Sequence, residues 1–194
     1  MSVQAAFYFD LRSPQAYLAA ERILHVLPGP AQWRPIHAER LPEGALGAFR
    51  CEQEVDAFRE DVARRAQALG LQPLRWPAEL PFDSAFAMRV ATYASSIGRA
   101  VPFAQAAFRQ AYAGGRSLAD RDSVLIAAAA CEMHPTAVLR AGELRSVADE
   151  LELATTAAVR AGVVSVPAVL VGEQVHEGGR VLEDAAAQMS AEAD

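Results

Sequence analysis

The chain has 194 residues and a formal net charge of −6, from 18 Lys plus Arg against 24 Asp plus Glu. Every one of those cations is Arg, which excludes catalysis through a lysine Schiff base or a phosphate-loop lysine. The acidic balance argues against nucleic acid as a partner, and Cys51 and Cys131 form neither a CxxC pair nor a zinc-binding spacing.

The N-terminal sequence and the longest uncharged segment predict where the protein works. No basic segment precedes the first strand-like pattern, so no signal peptide is predicted. The longest uncharged run, 161–172, has 12 residues, whereas a membrane span needs about 20. We therefore expect a soluble, cytoplasmic protein with reduced thiols and no membrane partner.

The chain begins with a strand–helix–strand pattern. Residues 4–10 are short, aromatic and apolar, which is typical of a buried strand. Ser13 and Pro14 then form a helix start, with serine as the N-cap and proline at the first helical position. Residues 32–36 are a second strand candidate, which Pro35 places at an edge or a strand end. This order predicts a βαβ unit.

A long Ala-rich segment follows, from about residue 50 to residue 160. Apolar side chains at helical spacing predict successive helices, several of which end at glycine. The predicted helices cover 55–69, 86–97, 103–112, 120–131, a short stretch from 135, and 144–160.

The last part of the chain changes period again. Residues 164–171 and 174–176 predict a hairpin, and a helix is expected over about 181–189. Because the two ends of the chain are too small to be stable separately, we expect them to share one sheet.

The βαβ start and the ββα end, with Val-Pro just before the hairpin, form the thioredoxin-fold pattern. The predicted fold class is therefore α/β and thioredoxin-like, with a large inserted all-helical subdomain. Residues 1–40 and 160–194 would form the thioredoxin-like domain, and residues 41–159 the insertion.

Four strings make this pattern more specific. They are FYFDLRSPQAYLAA at 7–20, WRPI at 33–36, LPFDS at 80–84 with Arg89 after it, and GVVSVP at 162–167. In this order and at these separations, the strings resemble the 2-hydroxychromene-2-carboxylate isomerase family and the related kappa-class glutathione transferases. The resemblance covers essentially the whole chain.

The resemblance implies an isomerase that acts on aromatic-degradation intermediates with glutathione or another low-molecular-weight thiol. A thiolate that adds reversibly to a conjugated C=C bond makes it a single bond, which can rotate before the thiol is eliminated. Two alternatives stay open. One is a kappa-like transferase that conjugates electrophiles, and the other is a non-catalytic binding module on a thioredoxin scaffold.

Ser13 is the predicted catalytic residue. Thioredoxin-fold oxidoreductases carry CxxC at this helix start, but here the four residues are Ser13-Pro14-Gln15-Ala16, and serine cannot exchange disulfides. By resemblance, Ser13 would donate a hydrogen bond to the sulfur of glutathione and keep it ionised. From the residues alone, Ser13 can instead be only an N-cap that contributes about 1 kcal/mol.

The Val166–Pro167 pair is the second predicted part of the cofactor site. The resemblance implies a cis peptide bond beside Ser13, with the Val166 backbone pairing like a strand with the cysteinyl part of the thiol. The alternative is a proline at the start of an edge strand. The other implied cofactor-binding residues are Pro14, Asp83 and Arg180.

The sequence departs from the family pattern after the hairpin. The family usually has an Asp there that binds the γ-glutamyl end of glutathione, whereas this chain has Gly179. Glu177 is a nearby acidic side chain that can substitute. The departure leaves room for a thiol other than glutathione.

The resemblance also implies an apolar pocket for an aromatic small molecule, with Arg12 or Arg180 as the partner of a carboxylate. The predicted pocket residues are Arg12, Tyr17, Phe82 and Phe86, with Phe49 and Trp76 as further candidates. The four His show no metal-ligand spacing, so no metal is expected. Both cysteines are expected to be structural thiols. Related proteins are commonly dimers, so we expect a homodimer.

Overall fold

The computed structural model describes residues 4–43, 49 and 51–192. The βαβ start is present as β1 (Ala5–Phe9), α1 (Pro14–Val26) and β2 (Ala31–Pro35). Ser13 occupies the N-cap of α1 with Pro14 as the first helical residue, as the sequence predicts. A 3₁₀ turn at Ala38–Arg40 follows β2.

Six helices follow in the Ala-rich segment. They are α2 (Glu52–Ala68), α3 (Ala85–Ser96), α4 (Ala100–Tyr112), α5 (Arg121–Ala129), α6 (Pro135–Glu143) and α7 (Arg145–Arg160). Each corresponds to a predicted helix, with ends that differ by a few residues. None of the helices in the described part of the chain is long and apolar enough to cross a membrane.

The chain ends with β3 (Ala168–Val171), β4 (Gln174–Glu177) and α8 (Val181–Ala191). Within the described residues, the strands form one sheet in the order β2-β1-β3-β4. β1 pairs with β2 in parallel and with β3 antiparallel, so that Phe7 lies between Trp33 and Val169. The two ends of the chain thus share a sheet, and the fold is the α/β thioredoxin-like one.

The strand predicted over 164–171 is shorter in the structure, where β3 begins only at Ala168. The preceding residues form a loop, and the Val166–Pro167 peptide bond within it is cis, as the resemblance implied. A second cis bond, Leu80–Pro81, was not predicted.

The sheet has two buried faces that alternate along β1. Phe7 and Phe9 belong to the main apolar core, with Trp33 and the helices α1, α3, α4 and α5. Tyr8 points to a smaller cluster with residues of α7 and of the loop before β3. The inserted helices and the sheet therefore share one core, and the boundary at residues 41–159 stays a prediction.

Candidate functional site

A cavity of about 620 Å³ lies where α1, α2, the loop before β3 and the start of α8 meet. α1 contributes Gln15 and Leu18, and the loop contributes Val166 and Pro167. The volume is within the range of small-molecule sites. The remaining lining residues are Ala19, Arg22, Glu43, Phe49, Phe58, Arg65, Ala68, Leu69, Ser165, Gly178, Gly179, Val181, Leu182 and Glu183.

One wall of the cavity is aromatic and aliphatic. The rings of Phe49 and Phe58 lie with their centroids 5.3 Å apart at an angle of 51°. Leu18 and Leu182 add aliphatic surface. This wall can accept a flat apolar group.

The cavity also carries two arginines. Arg22 Nη2 donates to Glu183 Oε1 at 2.6 Å, and this hydrogen bond lowers the pKa of Glu183. Arg65 Nε pairs with Asp61 at 2.8 Å. Its Nη1 stands only 3.8 Å from the place that a β-carbon at residue 179 would occupy. Gly179 therefore lies beside the guanidinium of Arg65, and both residues line the cavity.

The loop that carries the cis-proline is held by hydrogen bonds from two sides. Glu177 Oε1 accepts the backbone N–H groups of Val164 and Ser165, both at 2.9 Å. The N–H of Glu43 donates to the carbonyl of Val164 at 2.9 Å. Glu177 is therefore committed to the loop, which argues against the interpretation that it replaces the missing acid at Gly179.

The hydroxyl of Ser13 is fully buried, with 0% of the residue exposed. Its Oγ accepts the N–H of Ala16 at 3.1 Å and donates to Gln15 Oε1 at 3.4 Å. Neither Ser13 nor Pro14 lines the cavity, whereas Gln15 does. Ser13 thus acts as the helix cap, and Gln15 lies between it and the cavity.

A buried aspartate that the sequence analysis did not single out supports this helix start. Asp10 accepts hydrogen bonds at 3.0 Å from the N–H of Arg12, from Ser84 Oγ and from the N–H of Ala38. Its own carbonyl accepts the N–H of Ser13 at 3.0 Å. One carboxylate therefore joins the β1–α1 turn, the loop after β2 and the start of α3.

The four predicted pocket residues lie elsewhere. Arg12 is almost fully buried and pairs with Asp10 and Glu39, at 3.5 and 3.0 Å. It therefore stabilises the β1–α1 turn and does not line the cavity.

The three predicted pocket aromatics also occupy other positions. Tyr17 and Phe82 pack around Tyr112, with Trp76 at its edge. Burial raises the pKa of Tyr17, and raises that of Tyr112 well above its ordinary value. Phe86 stacks under the guanidinium of Arg121 at 4.8 Å. These rings therefore pack between the helices, since aromatic side chains fill a core as readily as they line a pocket. Of the predicted pocket residues and further candidates, only Phe49 lines the cavity.

Two of the predicted cofactor residues also lie outside the cavity. Asp83 Oδ1 accepts the N–H of Ala85, the first residue of α3, at 2.8 Å, so this exposed carboxylate supports the start of that helix. Arg180 is exposed and pairs with Asp184 at 3.4 Å. Of the predicted set, the cavity is lined by Val166 and Pro167.

Four cavity residues were not predicted from the sequence: Gln15, Arg22, Phe58 and Arg65. Gln15 had one available signal, its place inside the Ser-Pro-x-Ala string. Arg65 had none, because its surroundings in the sequence are those of a solvated helix face.

Among the described residues, the cysteines and the acidic side chains form neither a disulfide nor a metal site. Cys131 is buried and Cys51 is exposed, and both are free thiols. Within the described residues, no group of three or more His, Cys, Asp or Glu could hold a metal ion.

Comparison with known families gives one match over nearly the whole chain. Residues 4–190 match the sequence model of the DSBA-like thioredoxin domain. No curated protein matches the sequence.

Solved structures match over almost their full length. A 2-hydroxychromene-2-carboxylate isomerase superposes with a TM-score of 0.85 at 20% identity, covering 98% of this chain and 96% of that one. A probable DsbA oxidoreductase from Streptomyces coelicolor gives 0.77 at 18% identity, with 98% and 91% covered. The cytosolic disulfide reductase DsbM from Pseudomonas aeruginosa, solved with GSH, gives 0.69 at 16% identity, with 98% and 97% covered. At these sequence identities, the structural similarity establishes a shared fold.

Proposed function

Because the chain belongs to the DSBA-like thioredoxin domain family, we propose that its cavity binds a low-molecular-weight thiol and that the protein uses this thiol in catalysis. The observation that carries the proposal is the meeting of the cis-Pro167 loop and the first turn of α1 at one cavity. Disulfide exchange by this helix start is excluded, because Ser13 and Ala16 stand where two cysteines would be needed.

The residues present fit a glutathione-like thiol. The first turn of α1 reaches the cavity at Gln15, and the positive N-terminal end of this helix favours an ionised sulfur near that residue. Arg65 offers a guanidinium to a carboxylate, and the carboxylate of Glu43, which also lines the cavity, is available to an amine. The Val166–Pro167 backbone beside the cavity offers an extended segment to a peptide-like ligand.

The reaction we favour is the isomerisation of an aromatic compound with a conjugated double bond. When bound, the thiol would supply a sulfur that adds reversibly to that bond, which is then free to rotate. The phenylalanine wall formed by Phe49 and Phe58 would hold the flat part of the substrate and exclude water. Similarity of the fold to 2-hydroxychromene-2-carboxylate isomerase supports this choice.

The direct test mixes the protein with glutathione and 2-hydroxychromene-2-carboxylate and follows absorbance and product mass. We expect thiol-dependent turnover, with the product equal in mass to the substrate. A product that retains the thiol would identify a transferase instead. No turnover by a folded protein, with no affinity for any thiol in calorimetry, would refute an enzymatic role.

A pair of neighbouring arginines gives a matched control for thiol binding. Arg64 and Arg65 both pair with Asp61, but only Arg65 lines the cavity. We expect Arg65→Gln to weaken the binding of glutathione roughly five- to tenfold, because one half-exposed charge-assisted contact is worth about 1 kcal/mol. Arg64→Gln should leave the affinity unchanged, and equal effects of the two variants would contradict the proposed ligand position.

We also propose that the protein works in the cytoplasm as a homodimer. The similarity of its fold to cytosolic DsbM supports the compartment. Analytical ultracentrifugation tests the assembly, and a monomer at micromolar concentration would contradict it.

A further inference from the structure

The hydroxyl of Ser13 has no hydrogen left for a ligand. A serine hydroxyl has one O–H donor, and here that hydrogen goes to Gln15 Oε1 at 3.4 Å. One lone pair of the same oxygen takes the N–H of Ala16 at 3.1 Å. The residue is 0% exposed, so a ligand in the cavity meets another group first.

That group is the side-chain amide of Gln15. Its carbonyl oxygen is turned inward as the acceptor for Ser13, which directs the opposite end of the planar amide, Nε2, away from Ser13. Gln15 lines the cavity, as does Pro167. Within residues 4–43, 49 and 51–192, Nε2 donates to no protein acceptor.

The orientation of the amide is not arbitrary. Because the N–H of Ala16 already donates to Ser13 Oγ, the hydroxyl hydrogen must find an acceptor elsewhere in a buried place. Of the two ends of the Gln15 amide, only the carbonyl oxygen can accept that hydrogen. Ser13 therefore sets which end of Gln15 faces the ligand.

We propose that Gln15, and not Ser13, donates the hydrogen bond to the sulfur of the bound thiol, and that Ser13 is a positioning residue that holds the Gln15 amide. The proposal rests on the thiol-binding function proposed above. Gln15 is the second residue of α1, so its amide dipole and the helix end favour the same charge. No proton is transferred, because a neutral amide does not ionise near neutral pH, and the sulfur stays a thiolate.

The test is a pH titration of bound glutathione, followed by the ultraviolet absorbance of its thiolate. The wild-type protein should lower the thiol pKa below its free value of about 8.5. Gln15→Met removes the donor at similar length and should raise the bound thiol pKa by about one unit, the size of one hydrogen bond to a charged group. Ser13→Ala, which keeps the donor, should raise it by less than half as much.

Three controls separate the sulfur contact from a structural effect. S-methylglutathione, whose sulfur cannot ionise, should bind Gln15→Met and the wild type equally. Gln15→Glu should raise the thiol pKa although an acidic residue in the first turn favours the helix. Gln72→Glu adds the same charge in an exposed loop and should change neither property.

The outcomes distinguish this inference from the proposed function. If Gln15→Met titrates like the wild type, or if Ser13→Ala alone loses the thiolate, the role of Gln15 is wrong while the thiol site stands. If the wild type neither binds nor ionises glutathione, the proposed function fails for glutathione and the inference falls with it.

Discussion

Replacement of Asp10 by asparagine tests the hydrogen-bond network beneath the site. The carboxylate is 0% exposed and accepts three hydrogen bonds at 3.0 Å, two on Oδ1 and one on Oδ2. An asparagine oxygen can keep the two bonds on one side. Its amide N–H₂ then faces the N–H of Ala38, a donor that can no longer be satisfied.

The cost follows from these contacts. A buried donor left without its charged acceptor costs about 1–3 kcal/mol. The Arg12 guanidinium, 3.5 Å away and almost fully buried, also loses its buried counter-charge and keeps only the exposed Glu39, at 3.0 Å. Breaking a buried pair costs about 3–5 kcal/mol when one partner stays charged. Because Arg12 keeps Glu39, only part of that second cost applies, and we expect Asp10→Asn to lower the free energy of unfolding by about 3 kcal/mol in total.

Urea denaturation followed by circular dichroism measures this change. Asp83→Asn is the matched control, because that exposed carboxylate accepts one N–H and asparagine caps a helix equally well. The control should change the unfolding free energy by less than about 0.5 kcal/mol. If Asp10→Asn is no more destabilising than the control, Asp10 does not hold the three segments together.

Three other predictions concern the loop, the pH dependence and the thiols. In urea denaturation, Glu177→Ala should lower the free energy of unfolding by about 1–3 kcal/mol, because two hydrogen bonds to the loop are lost. Glu177→Gln, and the control Glu173→Ala in an exposed turn, should both stay close to the wild type. The pKa of Glu183 is lowered from 4.5 in the folded protein, so its stabilising effect is present above that pH and is lost as the pH falls through the folded value. The difference in unfolding free energy between the wild type and Glu183→Gln should accordingly shrink below pH 4.5, and a difference that is independent of pH would contradict this. Burial raises the pKa of the Cys131 thiol, whereas Cys51 is exposed. Labelling with iodoacetamide, followed by mass spectrometry, should therefore show one fast-reacting thiol per chain, Cys51, and a second only on unfolding. Two fast-reacting thiols in the folded protein would contradict the buried position of Cys131.

Local signals predicted the elements of the fold well. The Ser13-Pro14 helix start depends on a few adjacent residues, and it is present in the structure as the cap and first residue of α1. The short run of aromatic and apolar residues that predicted β1 is likewise a property of one strand. Such features need no knowledge of distant parts of the chain.

The cavity could not be predicted in the same way, because its walls meet only in the folded protein. Arg22 and Glu183 are 161 positions apart, and nothing near either residue indicates the other. Tyr17 and Phe82 were predicted for a pocket because they are aromatic, but aromatic side chains serve core packing equally well. The resemblance placed the cis-proline correctly, since it compares whole strings and not single residues.

The helix α2 contributes Phe58 and Arg65 to the cavity but buries only Val62 and Ala66 of its 17 residues. Phe58 also packs against the core, but substitutions at an exposed cavity residue such as Arg65 act on the ligand with little effect on folding, since surface changes usually cost less than about 0.5 kcal/mol. Substitutions in this helix can thus alter which ligand the cavity binds while the core keeps the protein folded.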